Sequence, residues 1–321
     1  MDTIAVLRTT GLAKRFRRRW AVQDLHLNVQ KGDVFGFLGP NGAGKSTTIR
    51  MLLSLIRPTR GTVELFGKPL SGNRKAILRR VGGLVERPDF YAYLTARRNL
   101  EIVAALRGDD SFRDIDRVLD LVGLLPRAAE RVNTYSHGMK QRLGIAQALL
   151  GSPELVILDE PTSGLDPQGI KEVRELIQRL SRDQGITIFL SSHLLGEIEQ
   201  TATSMAIINL GTLVVQGRVA DLLAAGEHVV RFDAMPADRA LQLLSASRLA
   251  GTVQRNGAFV ECSVPREQVG AVNRMLVEAG IEVRAILPRR SLEEYFLAIT
   301  EGASDVAVPM GGSTTQEGGR G

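Results

Sequence analysis

The fold follows from one segment, Gly39-Pro40-Asn41-Gly42-Ala43-Gly44-Lys45-Ser46-Thr47, which satisfies the pattern G-x-x-x-x-G-K-[ST]. An apolar run, Val34–Leu38, precedes it, and helical spacing begins near Lys45, a context that argues against a chance match. Glycines let the backbone wrap closely, so successive N–H groups can point at phosphate oxygens. Lys45 is then expected to reach the β- and γ-phosphates, and the Ser46 hydroxyl to bind Mg²⁺. The segment predicts a phosphate-binding loop.

A second acidic element lies in Glu154-Leu155-Val156-Ile157-Leu158-Asp159-Glu160, an apolar run that ends in two carboxylates. Taken alone, such a pair is more often a solvated strand end. Together with the phosphate-binding loop, it favours a metal site on a strand next to the strand of the loop. Asp159 is expected to hold Mg²⁺ through water, and Glu160 to face the γ-phosphate. The guanine-reading motif N-K-x-D and the kinase motifs H-R-D and D-F-G do not occur, which excludes GTPases and protein kinases.

Apolar periodicity indicates the order of the elements. Alternating strands are predicted at residues 24–30 and 61–67, and buried strands at Leu155–Leu158 and residues 186–190. Residues 94–123 repeat apolar side chains at helical spacing instead. The helix between the last two strands carries an apolar stripe of Val173, Leu176, Ile177 and Leu180. This order predicts a parallel α/β core with an inserted helical subdomain.

The pattern changes after about residue 223. Strands and helices alternate as β-α-β-β-α-β, with a hairpin around Asn256-Gly257, a strong signal for a tight turn. This order predicts a small ferredoxin-like accessory domain. Residues 291–300 are predicted to form its last helix. Glycine, serine and threonine dominate residues 301–321, which are predicted to be a disordered tail.

Composition limits the class of protein. The one cysteine, Cys262, lies in an alternating segment and is expected to be a small core residue of a chain in a reducing compartment. The four histidines are too scattered for a metal site, and no apolar run of membrane-spanning length occurs. The first residues, Met1-Asp2-Thr3, have no basic region followed by an apolar stretch, so no secretory signal is expected. The net charge of +6 raises nucleic acid or an anionic membrane as partners. Neither basic cluster, Arg15–Arg19 or Arg289-Arg290, has interleaved aromatic residues set out as a base-stacking platform, which favours a solvated face or lipid headgroups over nucleic acid.

Several further motifs follow in one order. Ser163-Gly164-Leu165-Asp166 comes after the acidic pair, and Ser191-Ser192-His193 closes the next predicted strand. Tyr135-Ser136-His137-Gly138-Met139-Lys140-Gln141-Arg142 precedes both. With the phosphate-binding loop, these motifs resemble the ATP-binding cassette (ABC) family across nearly all of residues 3–222. The resemblance implies a P-loop NTPase fold with a parallel α/β core, an antiparallel β subdomain and a helical subdomain at about 90–150. Residues 1–222 would form this cassette, and residues 223–300 the small α+β domain.

The resemblance also implies residue roles within a head-to-tail dimer that holds ATP between two cassettes. Phe16 would stack on adenine, with Trp20 as the alternative, and Glu160 would polarise the attacking water. His193 would sense the γ-phosphate. The roles at the dimer interface would fall to Ser136 and Gly138, which contact the γ-phosphate of the other cassette, and to the D-loop residue Asp166.

Two departures from the family pattern stand out. The signature L-S-G-G-Q has become Tyr135-Ser136-His137-Gly138-Met139, although the serine and one glycine remain. Glu86 stands where the family usually has glutamine. A carboxylate there can still bind Mg²⁺ but adds a negative charge near the γ-phosphate. Hydrolysis is therefore expected to persist with an altered dependence on the metal.

Both departures resemble the branch of bacterial ABC exporters that remove bacitracin, lantibiotics and other drugs, as do residues 291–297. The resemblance implies an ATP-hydrolysing subunit that uses ATP and Mg²⁺ on the cytoplasmic face of the cell membrane. Its partners would be a separate integral membrane subunit and a second cassette, identical or different, and no nucleic acid is expected. An importer motor and a non-transport ABC ATPase are the alternatives. Phe90, Tyr91 and Tyr93 would either contact the membrane subunit or pack beneath the helical subdomain.

Overall fold

The computed structural model describes residues 5–108, 110–225, 229–257 and 259–289. Within these ranges the strands, in chain order, are β1 (Ala5–Phe16), β2 (Arg19–Gln30), β3 (Val34–Leu38), β4 (Arg60–Leu65), β5 (Lys68–Pro69), β6 (Val81–Leu84), β7 (Leu155–Leu158), β8 (Thr187–Ser192), β9 (Ser204–Asn209), β10 (Thr212–Arg218), β11 (Val229–Met235), β12 (Val253–Asn256), β13 (Phe259–Ser263) and β14 (Glu282–Arg289). The helices are α1 (Lys45–Leu52), α2 (Leu70–Leu78), α3 (Ala96–Arg107), α4 (Ile115–Leu121), α5 (His137–Leu149), α6 (Pro167–Gln184), α7 (Leu195–Thr201), α8 (Val219–Ala225), α9 (Ala237–Ala246) and α10 (Val269–Glu278). None of the helices in these ranges has the length and apolar character needed to cross a membrane.

The central sheet has the strand order β10-β9-β3-β8-β7-β6, and its strands pair in parallel except for β10, which runs antiparallel to β9. Every residue of β3, β7 and β8 is buried. Such continuous burial is typical of parallel strands with both faces covered. Val34 and Leu38 face one apolar cluster, whereas Phe35 and Phe37 face the other. The predicted parallel α/β core is confirmed.

One expectation about this sheet is wrong. The strand that ends at Asp159 and Glu160, β7, does not adjoin the P-loop strand β3, because β8 pairs in parallel with both of them. All six residues of β8 are buried, and a buried strand at a sheet edge would leave backbone groups without partners. The three strands nevertheless end at the same edge of the sheet, so the residues that follow them still meet.

The antiparallel subdomain is a second sheet with the order β2-β1-β4-β5. Strands β1 and β2 form a long hairpin that turns between Phe16 and Arg19. Its buried side chains, which include Leu7, Leu25 and Leu27, join the apolar cluster that also contains Phe35 of β3. The hairpin is therefore packed on the same side of the central sheet as α1, whose Ile49 and Leu52 belong to that cluster.

The helical subdomain is built from α3, α4 and α5, whose buried side chains join the second apolar cluster. Helix α3 begins at the N-cap Thr95, which accepts a hydrogen bond from the N–H of Arg98, and ends at Gly108 with a left-handed backbone. The buried Asn99 accepts the Tyr91 N–H at 2.9 Å and donates to the carbonyls of Tyr91 and Thr95. The helix thereby fixes the loop that leads into it.

The C-terminal elements β11, α9, β12, β13, α10 and β14 follow the predicted β-α-β-β-α-β order, in an antiparallel sheet ordered β12-β13-β11-β14. They enclose their own apolar cluster, which contains Phe232, Val260 and Cys262. Burial raises the pKa of Cys262 to about 11, as expected for a core thiol. The small α+β unit is confirmed. The boundaries at 222 and 300 stay predictions, and the predicted helix at 291–300 and tail at 301–321 lie outside the described residues.

Candidate nucleotide-binding and hydrolysis site

The loop from Gly39 to Gly44 joins β3 to α1, and its glycines are required by geometry. A Cβ on Gly44 would lie 2.5 Å from the Ala21 carbonyl oxygen, and a Cβ on Gly39 would lie 2.4 Å from that of Ile208. Gly44 also has a φ of +109°, which side chains rarely adopt. The loop exposes Asn41 and Gly42, buries Ala43 and leaves Pro40 half-buried, and Ser46 and Thr47 in the first turn of α1 are half-buried as well. The first turn of α1 carries no acidic residue, so its N–H groups can receive an anion.

Lys45 is the buried cation of the site, with 5% of its side chain exposed. Its Nζ donates to the Gly39 carbonyl at 2.7 Å and lies 3.3 Å from the Pro40 carbonyl. The same atom lies 3.4 Å from Oε1 of Glu160. The ammonium group therefore joins the phosphate-binding loop to the acidic pair after β7.

The acidic pair is oriented by Ser191 of β8. The Ser191 hydroxyl donates to Oδ1 of Asp159 at 2.6 Å and accepts the Glu160 N–H at 2.9 Å. Asp159 and Ser191 are both buried. Glu160 has a φ of +47°, a left-handed backbone that non-glycine residues adopt at a cost and that occurs often at functional sites. Sequence reasoning treated Ser191 only as part of a motif and missed this contact.

The carboxylate of Glu160 is engaged on both oxygens. Oε1 lies 3.4 Å from Lys45, and Nδ1 of His193 lies 3.1 Å from Oε2. Glu160 and His193 are partly exposed, at 27% and 38% of their side chains. The structure thus brings together Lys45, Glu160 and His193, which come from three separate parts of the sequence.

The candidate Mg²⁺ ligands are Ser46 and Asp159. Both supply oxygen, the ligand atom that Mg²⁺ prefers. Asp159 is buried, and because a buried negative charge is costly unless it is paired, its carboxylate favours a bound cation. The described residues contain no group of three His, Cys, Asp or Glu side chains that could hold a metal.

Glu86 does not join this group in the structure. Its side chain is 65% exposed and forms an ion pair with Arg50 of α1, and its backbone has a φ of +65°. Arg50 lies on the helix that begins at Lys45, so the pair links the P-loop helix to the segment after β6. The sequence offered no signal for Arg50, because one exposed arginine on a helix is ordinary.

The two candidates for adenine stacking differ in access. Phe16 is 48% exposed at the turn of the β1–β2 hairpin, with Lys14 Nζ 5.2 Å from the ring centroid. Trp20 is half-buried, and the guanidinium groups of Arg15 and Arg60 lie 5.4 and 5.8 Å from its ring centroid. The more accessible ring favours Phe16, whose role stays a prediction.

The altered signature separates into buried and exposed positions. Tyr135 is buried and donates to the Arg127 carbonyl at 2.8 Å, and burial raises its pKa. Met139 is also buried, with its sulfur 3.3 Å from the Arg127 guanidinium. Ser136 is exposed as the N-cap of α5 and accepts the Met139 N–H at 3.2 Å, and a Cβ on Gly138 would meet nothing within 4 Å. The departures at Tyr135 and Met139 therefore concern packing and leave Ser136 and Gly138 accessible.

The D-loop, which carries Asp166, and the signature residue His137 are distant in the sequence but close in the structure. Asp166 is exposed and acts as the N-cap of α6, accepting the Gly169 N–H at 3.1 Å. His137 is exposed, and its Cε1 lies 3.5 Å from the place a Cβ on Gly164 would take. The signature segment and the D-loop of the same chain are thus neighbours. The interface roles of Asp166, Ser136 and Gly138 stay predictions.

Comparisons with known proteins agree with this geometry. The profile of the ABC transporter family matches residues 22–163. The bacitracin transport ATP-binding protein BcrA of Bacillus licheniformis is 44% identical over 301 residues, which cover 93% of this chain and 98% of the relative. The daunorubicin/doxorubicin resistance ATP-binding protein DrrA of Streptomyces peucetius is 36% identical over 311 residues, or 93% of each chain.

A likeness among solved structures supports the fold. The ATP-binding cassette MJ0796, a dimer bound to ADP and Pi in a post-hydrolysis state, has a TM-score of 0.59 at 21% identity. The match covers 66% of this chain and 98% of that one. At this identity it shows the fold alone. From the fold, the site and the full-length relatives, this chain belongs to the ABC transporter family as an ATP-binding subunit.

Proposed function

We propose that this chain hydrolyses ATP and thereby drives export of a drug, antibiotic or peptide through a separate membrane subunit. The observation that carries hydrolysis is the Glu160 carboxylate between Lys45 and His193. Export is supported by the relatives named for bacitracin transport and for daunorubicin/doxorubicin resistance, each matched over 93% of this chain.

Hydrolysis of ATP depends mainly on positioning the γ-phosphate and the attacking water and on stabilising the negative charge of the transition state, rather than on covalent catalysis. The loop N–H groups and the N-terminus of α1 would hold the phosphates, and Lys45 would offset charge on the β- and γ-phosphates. Ser46 and Asp159 would hold Mg²⁺, which supplies charge neutralisation when bound. Glu160 would accept a proton from the attacking water, and His193, at 3.1 Å from Glu160, would orient that carboxylate and contact the γ-phosphate.

The second half of the site would come from another cassette. The exposed N-cap Ser136 and the open Gly138 suit a γ-phosphate presented by a partner, because N–H groups point out of a helix at its N-terminus. Asp166 lies exposed on the neighbouring D-loop. We therefore place the chain in a dimer of cassettes at the cytoplasmic face of the membrane. Whether the two cassettes are identical does not alter this chemistry.

The proposal is tested in cells that express the chain with its membrane partner. Loss of the chain should raise sensitivity to bacitracin, to an anthracycline or to a related compound, and the wild-type chain should restore resistance. Glu160→Gln should fail to restore it, although it reaches the same level in the membrane fraction. Unchanged sensitivity to every class of compound, or recovery of the chain only with ribosomes or DNA, would contradict the exporter assignment.

The Arg50–Glu86 pair leads to a prediction about Mg²⁺. In Glu86→Gln the positive charge of Arg50 is no longer neutralised, and it repels Mg²⁺. A higher Mg²⁺ concentration should then be needed for half-saturation of ATP binding. In Arg50→Gln the Glu86 carboxylate keeps an uncompensated negative charge that attracts Mg²⁺, so the Mg²⁺ concentration at half-saturation should fall. Because the pair is exposed, each shift should be about 1.5- to 5-fold. Titrating Mg²⁺ against binding of a fluorescent ATP analogue measures both.

The double variant Arg50→Gln/Glu86→Gln should return the Mg²⁺ requirement close to that of the wild type, because the two shifts have opposite signs. Glu175→Gln, which removes an exposed carboxylate paired with Lys171 on α6, is the matched control and should change nothing. Superimposable curves for the wild type and Glu86→Gln would rule out a role of Glu86 near the metal.

A further inference from the structure

The carboxylate of Glu197 on α7 bridges the two segments that carry Glu160 and His193. Its Oε2 accepts the hydroxyl of Thr162 at 2.6 Å and that of Ser192 at 3.1 Å. Thr162 follows Glu160 by two residues, and Ser192 immediately precedes His193. We infer that Glu197 is a positioning residue that fixes Glu160 and His193 relative to each other. The inference rests on the proposed hydrolysis and adds a residue to that site.

The hydrogen bonds around Ser192 assign the direction of its proton. Its Oγ accepts the Leu194 N–H at 3.0 Å, and among the described residues the one other acceptor in reach besides Glu197 is the Leu194 carbonyl, at a longer 3.3 Å. A hydroxyl has one proton to donate, and a carboxylate can only accept. The proton therefore goes to Glu197, and the backbone is held on both sides of His193.

Glu197 adds one cross-link to two others between the same segments. Ser191 joins the β8 strand to Asp159 and Glu160, and the His193 ring contacts Glu160 directly. The Glu197 bridge attaches two residues after Glu160 on one segment and one residue before His193 on the other. Without it, Thr162 and Ser192 lose their shared acceptor, and Ser191 and the pairing of β7 with β8 remain to hold the two segments together.

The helix that carries Glu197 is itself firmly placed. Ile198 and Leu195 of α7 are buried, and a Cβ on Gly36 would lie 2.4 Å from Cγ2 of Ile198. Gly36 is the middle residue of β3, so α7 rests directly on the P-loop strand. Because α7 packs on β3, the Glu197 bridge fixes Glu160 and His193 relative to the strand that also positions the phosphate-binding loop.

A simpler explanation is that Glu197 only stabilises the N-terminus of α7, since it lies in the first turn. The two roles differ in what glutamine does. Glutamine keeps a carbonyl oxygen that can accept both hydroxyls, but it loses the charge that interacts with the helix dipole. A positioning role is therefore rescued by Glu197→Gln, whereas a dipole role is not.

The first test compares ATP turnover of the full chain in the wild type, Glu197→Ala, Glu197→Gln and the matched control Glu199→Gln on the same helix. Glu197→Ala should lower kcat by about tenfold to a hundredfold, with KM for ATP changed by less than about twofold. Glu197→Gln should recover most of that loss, and Glu199→Gln should behave as the wild type. An unchanged kcat in Glu197→Ala overturns the inference. An equal loss of kcat and thermal stability in the alanine and glutamine variants also overturns it, because it indicates helix stabilisation alone.

A second readout does not depend on hydrolysis. The chain has four histidines, so selective labelling gives four ring signals, and His193→Gln identifies that of His193. Glu197→Ala should move the His193 signal, and Glu197→Gln should return it towards its original position. A His193 signal that does not move contradicts the inference even if the wild type proves inactive. A wild type without ATP turnover contradicts the proposed function instead.

Discussion

Glu160→Gln is expected to lower ATP turnover by about a hundredfold to ten-thousandfold, the range for loss of a general base. The substitution keeps the size of the side chain but removes the negative charge that lies 3.4 Å from Lys45 and leaves one acceptor oxygen where the carboxylate offers two, to Lys45 and to His193. Nucleotide binding should be retained, because the loop, Lys45 and α1 are untouched. Turnover of the purified chain and equilibrium binding of ATP separate the two effects.

Glu154→Gln provides a matched control, because it changes the carboxylate just before β7 rather than the one after it. Glu154 is paired with Arg80, whose hydrogen bond holds the pKa of Glu154 below its ordinary value. Losing this pair should lower the free energy of unfolding slightly but leave kcat for ATP unchanged. If Glu160→Gln retained more than about a tenth of the turnover, the carboxylate would not be the base. A parallel loss of ATP affinity would assign Glu160 to binding through Lys45.

The parts of the site that the sequence predicted are those in which neighbouring residues act together. The loop from Gly39 to Thr47 needs glycines, a lysine and a hydroxyl within nine positions, so its chemistry is visible in one segment. The same is true of the apolar strand that ends in Asp159 and Glu160. The hairpin around Asn256-Gly257 was predicted for a similar reason, because its turn depends on two adjacent residues.

The parts that could not be predicted depend on contacts between distant segments. Periodicity indicated that β7 and β8 were buried strands, but it carried no information about which strand adjoins β3. The same limit hid Glu197, because an acidic residue in the first turn of a short helix is ordinary until its partners Thr162 and Ser192 are known. Strand order and side-chain partners are set by packing of the whole domain, which local patterns do not encode.

The altered signature shows how the structure changes the meaning of a motif. The sequence presented Tyr135 and Met139 as losses from a phosphate-binding motif, whereas the structure shows both buried and in contact with Arg127. Ser136 remains exposed and Gly138 half-buried at the start of α5, with open space beside the Gly138 Cα. A hydrophobic residue facing the core can be exchanged for another if the volume is accommodated, without altering the exposed end of the helix.

Lys45→Met is expected to weaken ATP binding by about tenfold to a hundredfold, since a hydrogen bond to a charged group contributes about 1.5–3 kcal/mol. Methionine keeps much of the apolar stem but offers no donor to the phosphates. It also leaves the Gly39 carbonyl without the ammonium group 2.7 Å away and Glu160 without its cation. Equilibrium binding of ATP, with thermal unfolding in parallel, distinguishes loss of affinity from loss of structure.

Lys45→Arg keeps the positive charge at this position but changes the shape of the cationic group. The side chain of Lys45 is 5% exposed, and its compact ammonium group fits between two carbonyls and a carboxylate, where a planar guanidinium group needs more space. We therefore expect arginine to restore little affinity, whereas Lys31→Met, at an exposed turn, should have no effect. Wild-type affinity in Lys45→Arg would mean that charge alone suffices. Wild-type affinity in Lys45→Met would mean that backbone N–H groups and the α1 N-terminus hold the phosphates unaided, and Lys45 would then act on Glu160 rather than on the nucleotide.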